Sequence, residues 1–258
     1  MTRLFSALRS CLGVFACLFL LGFISPLVLY LYVVPMIWLG LKPRGELGPA
    51  WVGWVARSLV FFCRLGGAKF ETEGLINCAQ AGVVIMNHQS VLEIPPLIEI
   101  LTPRLPRFVA RARYARWIPT VSRAIAFLDG IVIDPKADRA GAVAAMQGAA
   151  DRGLQHAVMV FPEGHRTKDG AVSAFRPAGM VALLAGRQLP VWTIVVDGPW
   201  RLGKVIDTFF GLGSVRGRMK VVDSVMSPIN PEDLPAFIEE RRQVMIGALS
   251  KMRAEALP

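Results

Sequence analysis

Val83-Val84-Ile85-Met86-Asn87-His88-Gln89-Ser90-Val91-Leu92-Glu93 joins a short, wholly apolar run to a polar turn that carries an imidazole and a carboxylate. Four apolar residues ended by an asparagine fit a buried strand better than a helix. The pattern from Ser90 to Leu101 that follows predicts a helix. A second such edge stands at Ala157 to Phe161, followed by Pro162-Glu163-Gly164-His165-Arg166-Thr167. Further strands are expected at Lys69–Glu73, Arg107–Ala110, Ile131–Asp134, Val191–Val196 and Lys220–Val225, with helices at Ala137–Arg152, Pro177–Arg187 and Pro231–Glu255. The last has Asn230 as N-cap, Pro231 in the first helical position and acidic residues in its first turn. Strands alternating with helices predict an α/β body with a mixed sheet flanked by helices, whose polar residues at strand ends are the place for chemistry.

The N-terminal part is different in kind. Ser10 to Leu41 is a run without a charge, and as one straight helix it would measure about 48 Å against a hydrocarbon core of roughly 30 Å. Pro26 and Pro35 interrupt it, and Arg3 and Arg9 precede it as Lys42 and Arg44 follow it. Positive charge on both sides favours, by a small margin, a re-entrant hairpin within this run over a single tilted span. It is longer than a signal-peptide core and lacks a small-x-small cleavage site. Trp51 to Leu65 suits an interfacial helix with Trp51 and Trp54 at the boundary, or a buried core helix. We therefore divide the chain into residues 1–65, a membrane-anchoring helical segment, and residues 66–258, a catalytic body.

Composition agrees. Of 258 residues, 53% are hydrophobic and 19% charged, which excludes an unfolded chain and is high for an ordinary soluble domain. The formal net charge is +10, and 22 Arg stand against 7 Lys, so an anionic partner is expected. Arg104, Arg107, Arg111, Arg113, Arg116 and Arg123 form a basic stretch without an acidic residue, with Tyr114 and Trp117 inside it. No nucleic-acid motif or stacking platform accompanies this charge, so the expected surface is an anionic membrane. The four cysteines have no Cys-x-x-Cys pair and suggest neither zinc nor a disulfide framework.

His88 with Glu93 can form a dyad in which the carboxylate fixes the ring's tautomer and leaves the other nitrogen as a base. No Gly-x-Ser-x-Gly elbow or reactive cysteine supplies a protein nucleophile, so the base would activate a hydroxyl of the substrate. The Phe161–Thr167 segment combines a glycine turn with Arg166, suited to a phosphate. A different reading of the same residues is a metal-dependent hydrolase ligated by His88, Glu93, Glu163 and His165, and another is a lipid-binding scaffold without catalysis.

These segments together resemble the glycerolipid acyltransferase family, whose best-known members are the 1-acylglycerol-3-phosphate acyltransferases. Asn87-His88-Gln89-Ser90 with Glu93 resembles the first motif, His-x-x-x-x-Asp, and Phe161-Pro162-Glu163-Gly164 with Arg166 the third, Phe-Pro-Glu-Gly-Thr-Arg. Phe108-Val109-Ala110-Arg111 is similar to the family's basic site, Ile118-Pro119 to its Ile-Pro, Gly130 to Asp134 to its second motif and Leu189-Pro190-Val191 to the start of its fourth. The resemblance implies acyl transfer from acyl-CoA or acyl carrier protein to the free hydroxyl of 1-acylglycerol-3-phosphate, forming phosphatidate, with no cofactor and no metal. Another lyso-lipid, such as an ornithine lipid or a lysophospholipid, is the alternative acceptor. It implies His88 as general base, Glu93 as its orienting carboxylate, and Arg166 and Arg111 on the acceptor phosphate, with Glu163, Gly164 and His165 shaping that site. The expected location is the inner cell membrane, with the body on its cytoplasmic face. Four positions depart from the family pattern: Glu93 for Asp, His165 for Thr, Pro135 for Arg and Thr193 for Pro.

Overall fold

A computed structural model describes residues 2–134, 136, 138–202 and 205–255. Nine strands are present among them: β1 Lys69–Glu73, β2 Ile76–Asn77, β3 Gly82–Met86, β4 Leu101–Thr102, β5 Arg107–Arg111, β6 Ile131–Ile133, β7 Ala157–Val160, β8 Pro190–Asp197 and β9 Arg216–Met226. Seven form one mixed sheet in the order β1-β9-β8-β3-β7-β5-β6, and β2 and β4 pair separately. β8, β3, β7, β5 and β6 run parallel, whereas β9 is antiparallel to β8 and carries β1 parallel to itself. The starts of β1 and β9 therefore lie at the same edge of the sheet as the ends of β3, β7 and β8, with Lys69 opposite Arg216 and Arg218 opposite Asp197. All seven expected strands are present, within a few residues at their ends.

β3 is apolar throughout because both of its faces are covered. Val83 and Ile85 join Val158, Val191 and Val195 under the helices Arg139–Asp151, Pro177–Leu184 and Leu234–Ala254. Val84 and Met86 face Met159, Trp192 and Ile194 on the other side, closed by Leu97 and Ile100. That second cover is not the helix expected over Ser90–Leu101. It is two 3-10 turns, Val91–Glu93 and Pro95–Glu99, followed by β4. Pro95 and Pro96 remove two amide donors and crowd the carbonyls four residues back, so an α-helix cannot propagate through them.

The N-terminal run also differs from the hairpin expected within it. It is one continuous helix, α1, over residues 2–38, uncharged from Ser10 onward, and its Leu4–Trp38 part is long and apolar enough to cross a membrane by length and composition. Pro26 and Pro35 are absorbed by π-turns at Leu20–Ile24 and Leu29–Val33, which contain the residues four positions before each proline and open the ladder where the ring would clash. The chain reverses only after Trp38, through Gly40 at φ +71°, and returns as α2, Arg44–Leu65. Arg9 Nε then donates to Leu65 O at 2.6 Å, so the two helices form an antiparallel pair. Trp51 is buried against Phe127 rather than interfacial, packing with Leu29 and Val33. Pro135, Ala137 and the side chain of Trp117 lie outside the described residues.

Candidate active site

The site begins where β3 ends. Asn87, almost fully buried, turns its side-chain amide onto β8, with Nδ2 donating to Val196 O and Oδ1 accepting from Val196 N, both at 2.8 Å. The amide thus continues the β3–β8 pairing for one more step and lets the main chain leave the sheet at a fixed point. Asn87 belongs to the resembled first motif, but its bonding to β8 had only one signal in the sequence, a buried-strand run ending on an amide.

Glu93 is fully buried and gathers the turn around itself. Its Oε1 lies 2.6 Å from His88 Nδ1, and its two oxygens accept from Gln89 N at 3.1 and 3.0 Å and from Ser90 N at 2.7 Å. Ser90 Oγ in turn accepts from Leu92 N, so Ser90 and Glu93 cap the first 3-10 turn reciprocally. Burial pushes the Glu93 carboxyl above its ordinary value, and His88 and the two backbone donors pull it back only in part. With Nδ1 engaged, Nε2 is the ring nitrogen without a hydrogen-bond partner among the described residues, on a side chain 17% exposed. Phe161 lies beside the ring, with centroids 4.2 Å apart, and limits its rotation.

The Phe161–Thr167 segment wraps the same turn. Glu163, expected to shape a phosphate site, has its carboxylate inside the protein: Oε1 accepts from His88 N and Oε2 from Ser173 N, each at 2.8 Å. Thr167 N donates to His88 O at 2.8 Å. Gly164 adopts φ +68°, the left-handed conformation that lets the chain reverse there, and Arg111 Nη2 donates to its carbonyl from the end of β5. Arg166 and His165 are exposed and make no hydrogen bond or ion pair among the described residues. The two arginines, the glycine turn and the dyad thus share one edge of the sheet. Glu93 and Glu163 are each committed to backbone donors, and among the described residues no three His, Cys, Asp or Glu side chains group as a metal requires.

A further network reaches the dyad from the other end of the chain. Gln89, buried next to His88, donates from Nε2 to Asp197 Oδ1 and Gly170 O at 3.3 Å each. Arg253, in the last turn of the C-terminal helix, donates to both Asp197 oxygens at 3.0 and 2.8 Å and to Gly170 O at 2.8 Å. Burial alone would raise the Asp197 carboxyl, but Arg253 and Gln89 hold it below its ordinary value. Asp197 had a signal in sequence, a carboxylate ending an apolar strand. Arg253 had none among 22 arginines.

The Acyltransferase family profile matches residues 68–197, half of the chain, covering both wrapped segments. The chain belongs to the glycerolipid acyltransferase family. Human 1-acyl-sn-glycerol-3-phosphate acyltransferase beta is 25% identical over 199 residues, 75% of this chain and 68% of the relative. The mouse alpha enzyme is 27% identical over 199 residues with the same coverage. The crystal structure of the 1-acyl-sn-glycerophosphate acyltransferase PlsC from Thermotoga maritima superposes with a TM-score of 0.69, covering 98% of each chain at 20% identity, and shares the fold. This acyltransferase is an O-acyltransferase of the lysophosphatidate acyltransferase type. Arg253 lies beyond the residues that the family profile matches, so this network draws on a helix outside them.

Proposed function

We propose that the protein transfers a fatty acyl group from acyl-CoA or acyl carrier protein to the free hydroxyl of 1-acylglycerol-3-phosphate, making phosphatidate. The observation that carries this reading is the 2.6 Å contact of His88 Nδ1 with buried Glu93, which leaves Nε2 as the reachable base at an edge where Arg166 stands exposed. Nε2 accepts the proton of the acceptor hydroxyl as its oxygen attacks the thioester carbonyl, and Glu93 stabilises the imidazolium. Collapse of the tetrahedral intermediate expels the thiolate, which takes that proton from His88, so ester and free thiol are the products. Neither an acyl-enzyme nor a cofactor is required. Arg166 and Arg111 serve the acceptor phosphate as charged donors, and the glycine turn at Gly164 presents Arg166. Glu163 acts through the backbone of His88, and His165, exposed beside Arg166, tunes headgroup choice.

Residues 1–65 serve as the membrane-contacting part and 66–258 as the catalytic body. Leu8, Leu12, Phe15, Phe19, Phe23 and Leu27 form a stripe of exposed apolar side chains along α1 at helical spacing. The opposite side of α1 is held by protein along its length: Ser10 Oγ accepts from Gly213 N, Leu21 O from Thr120 Oγ1, and Leu29 and Val33 pack on Trp51. A perpendicular crossing would drag the body into hydrocarbon, so α1 lies along the bilayer surface with its stripe immersed. The cytoplasmic face of the cell membrane is the side on which thioester donors reach the site.

The test is an acyl-transfer assay on the purified full chain, with lysophosphatidate, lysophospholipids and a lyso-ornithine lipid as acceptors and both donors in parallel. Phosphatidate formed fastest supports the reading. Preference for a different lyso-lipid replaces lysophosphatidate by that lipid as the acceptor, and hydrolysis without transfer rejects the reading.

A further inference from the structure

A cavity of about 620 Å³ lies away from the dyad, between the start of α1, the end of α2 and the first residues of β1 and β9. Four cations line it from four different elements: Arg9, Arg64, Lys69 and Arg216. Its one lining carboxylate, Glu71, is turned to Arg218 at 3.7 Å, and Arg64 shares Glu99 at 2.9 Å. Arg9, Lys69 and Arg216 have no carboxylate partner among the described residues.

The guanidiniums are fixed in place, yet keep donors free. Every protein bond of Arg216 leaves from Nη1, to the carbonyls of Gly67, Gly213 and Val215 at 2.8 to 3.3 Å, so Nε and Nη2 are unused. Arg9 uses Nε and Nη2 on Leu65 O and Arg64 O and keeps Nη1. Anchored cations with spare N–H groups and little local negative charge make an anion site whose geometry needs no reordering on binding. Phe5 lines the same cavity and is 70% exposed, next to exposed Leu4 and Leu8 at the end of the apolar stripe. Anion donors directly beside lipid-facing side chains select a phosphate that is itself attached to a lipid.

We propose that this cavity binds the phosphate of an anionic membrane phospholipid, at a site separate from the acceptor site. Sheet order keeps the two apart: Arg111 and the Arg166 loop follow β5 and β7 on one side of β3, whereas the cavity is at β9 and β1 on the other. Three strand spacings separate β3 from β1, about 14 Å. A lipid held there pins the far edge of the sheet to the bilayer, so that α1 and the site edge meet the membrane together.

The test uses the full chain in neutral detergent micelles, titrated calorimetrically with short-chain phosphatidylglycerol, short-chain phosphatidylcholine and inorganic phosphate. The expected result is tighter binding of phosphatidylglycerol than of either other ligand. Lys69→Gln and Arg9→Gln each weaken it about fivefold, and the pair about 25-fold, as loss of roughly one surface charge interaction each requires. Lys69 sits exposed on an edge strand and makes only backbone bonds, so K69Q keeps the fold, which a melting curve verifies. R166Q leaves this binding unchanged even if it abolishes acyl transfer, which separates the proposal from the reading of the active site. Binding unaltered in the K69Q/R9Q pair, binding lost in R166Q instead, or phosphate binding as tightly as the lipid would each overturn it.

Discussion

Replacing Glu93 by Gln removes one charge at constant size, and the geometry dictates how the amide must sit. The Oε2 position faces Ser90 N at 2.7 Å and Gln89 N at 3.0 Å, two donors that require an oxygen. The amide nitrogen is thereby placed at the Oε1 position, facing His88 Nδ1 at 2.6 Å, where it can only donate. That locks the ring into the tautomer with its proton on Nε2, the nitrogen needed as base, and removes the charge that stabilises the imidazolium. Loss of general-base catalysis is worth about 10² to 10⁴ in rate, or roughly 3 to 5 kcal/mol of barrier. E93Q should therefore lower kcat by at least about a hundredfold with little change in KM, measured with acyl-CoA and lysophosphatidate in one detergent. E93D, which restores the carboxylate, should recover part of it. Linkage adds a second readout. Burial raises the Glu93 carboxyl above its ordinary 4.5, so its ionisation removes stability as pH rises through the raised value. E93Q carries no such penalty, so its deficit in Tm is larger at pH 4 than at pH 7. A variant with kcat within threefold of the parent would refute the dyad.

Arg166→Gln removes an exposed charged donor and should raise KM for lysophosphatidate about 10- to 100-fold, leaving KM for an uncharged monoacylglycerol unchanged in the same assay. Asn87→Ala strands Val196 N and O inside the protein and should cost about 3 kcal/mol in denaturant unfolding, with activity falling in parallel. Arg253→Met frees Asp197 and loosens Gln89, lowering kcat several-fold and stability by about 1 kcal/mol at neutral pH. Because the Asp197 carboxyl is held below its ordinary 3.8, that stability is present above 3.8 and lost as pH falls through the depressed value, so parent and variant converge in acid melts.

Strand positions were legible because burial on two faces leaves an unambiguous signal: Val83 to Met86 is apolar in the chain and fully buried in the fold. The His88–Glu93 contact was legible because the two residues are five apart in one turn, a distance local chain geometry can close. The 3-10 turns were missed although Pro95-Pro96 announced them, since apolar spacing alone does not distinguish a helix from two tight turns. In α1 the prolines suggested a break that π-turns instead absorb, a tolerance set by packing against α2 rather than by local sequence. Glu163 shows the other limit. Its carboxylate beside Arg166 suggested a part in the phosphate site, but which way it points depends on Ser173 and His88 meeting it from distant positions. Arg253 was invisible for the same reason: 164 residues separate it from Gln89, and only the folded sheet brings them to Asp197.

The most direct measurement is single-turnover acyl transfer by His88→Ala beside the parent protein, at saturating acyl-CoA and lysophosphatidate, with melting curves showing both folded. Phosphatidate should form at least about a hundredfold more slowly with the variant while both still bind acceptor. Equal rates would mean that another group removes the hydroxyl proton, and that His88 belongs only to the scaffold.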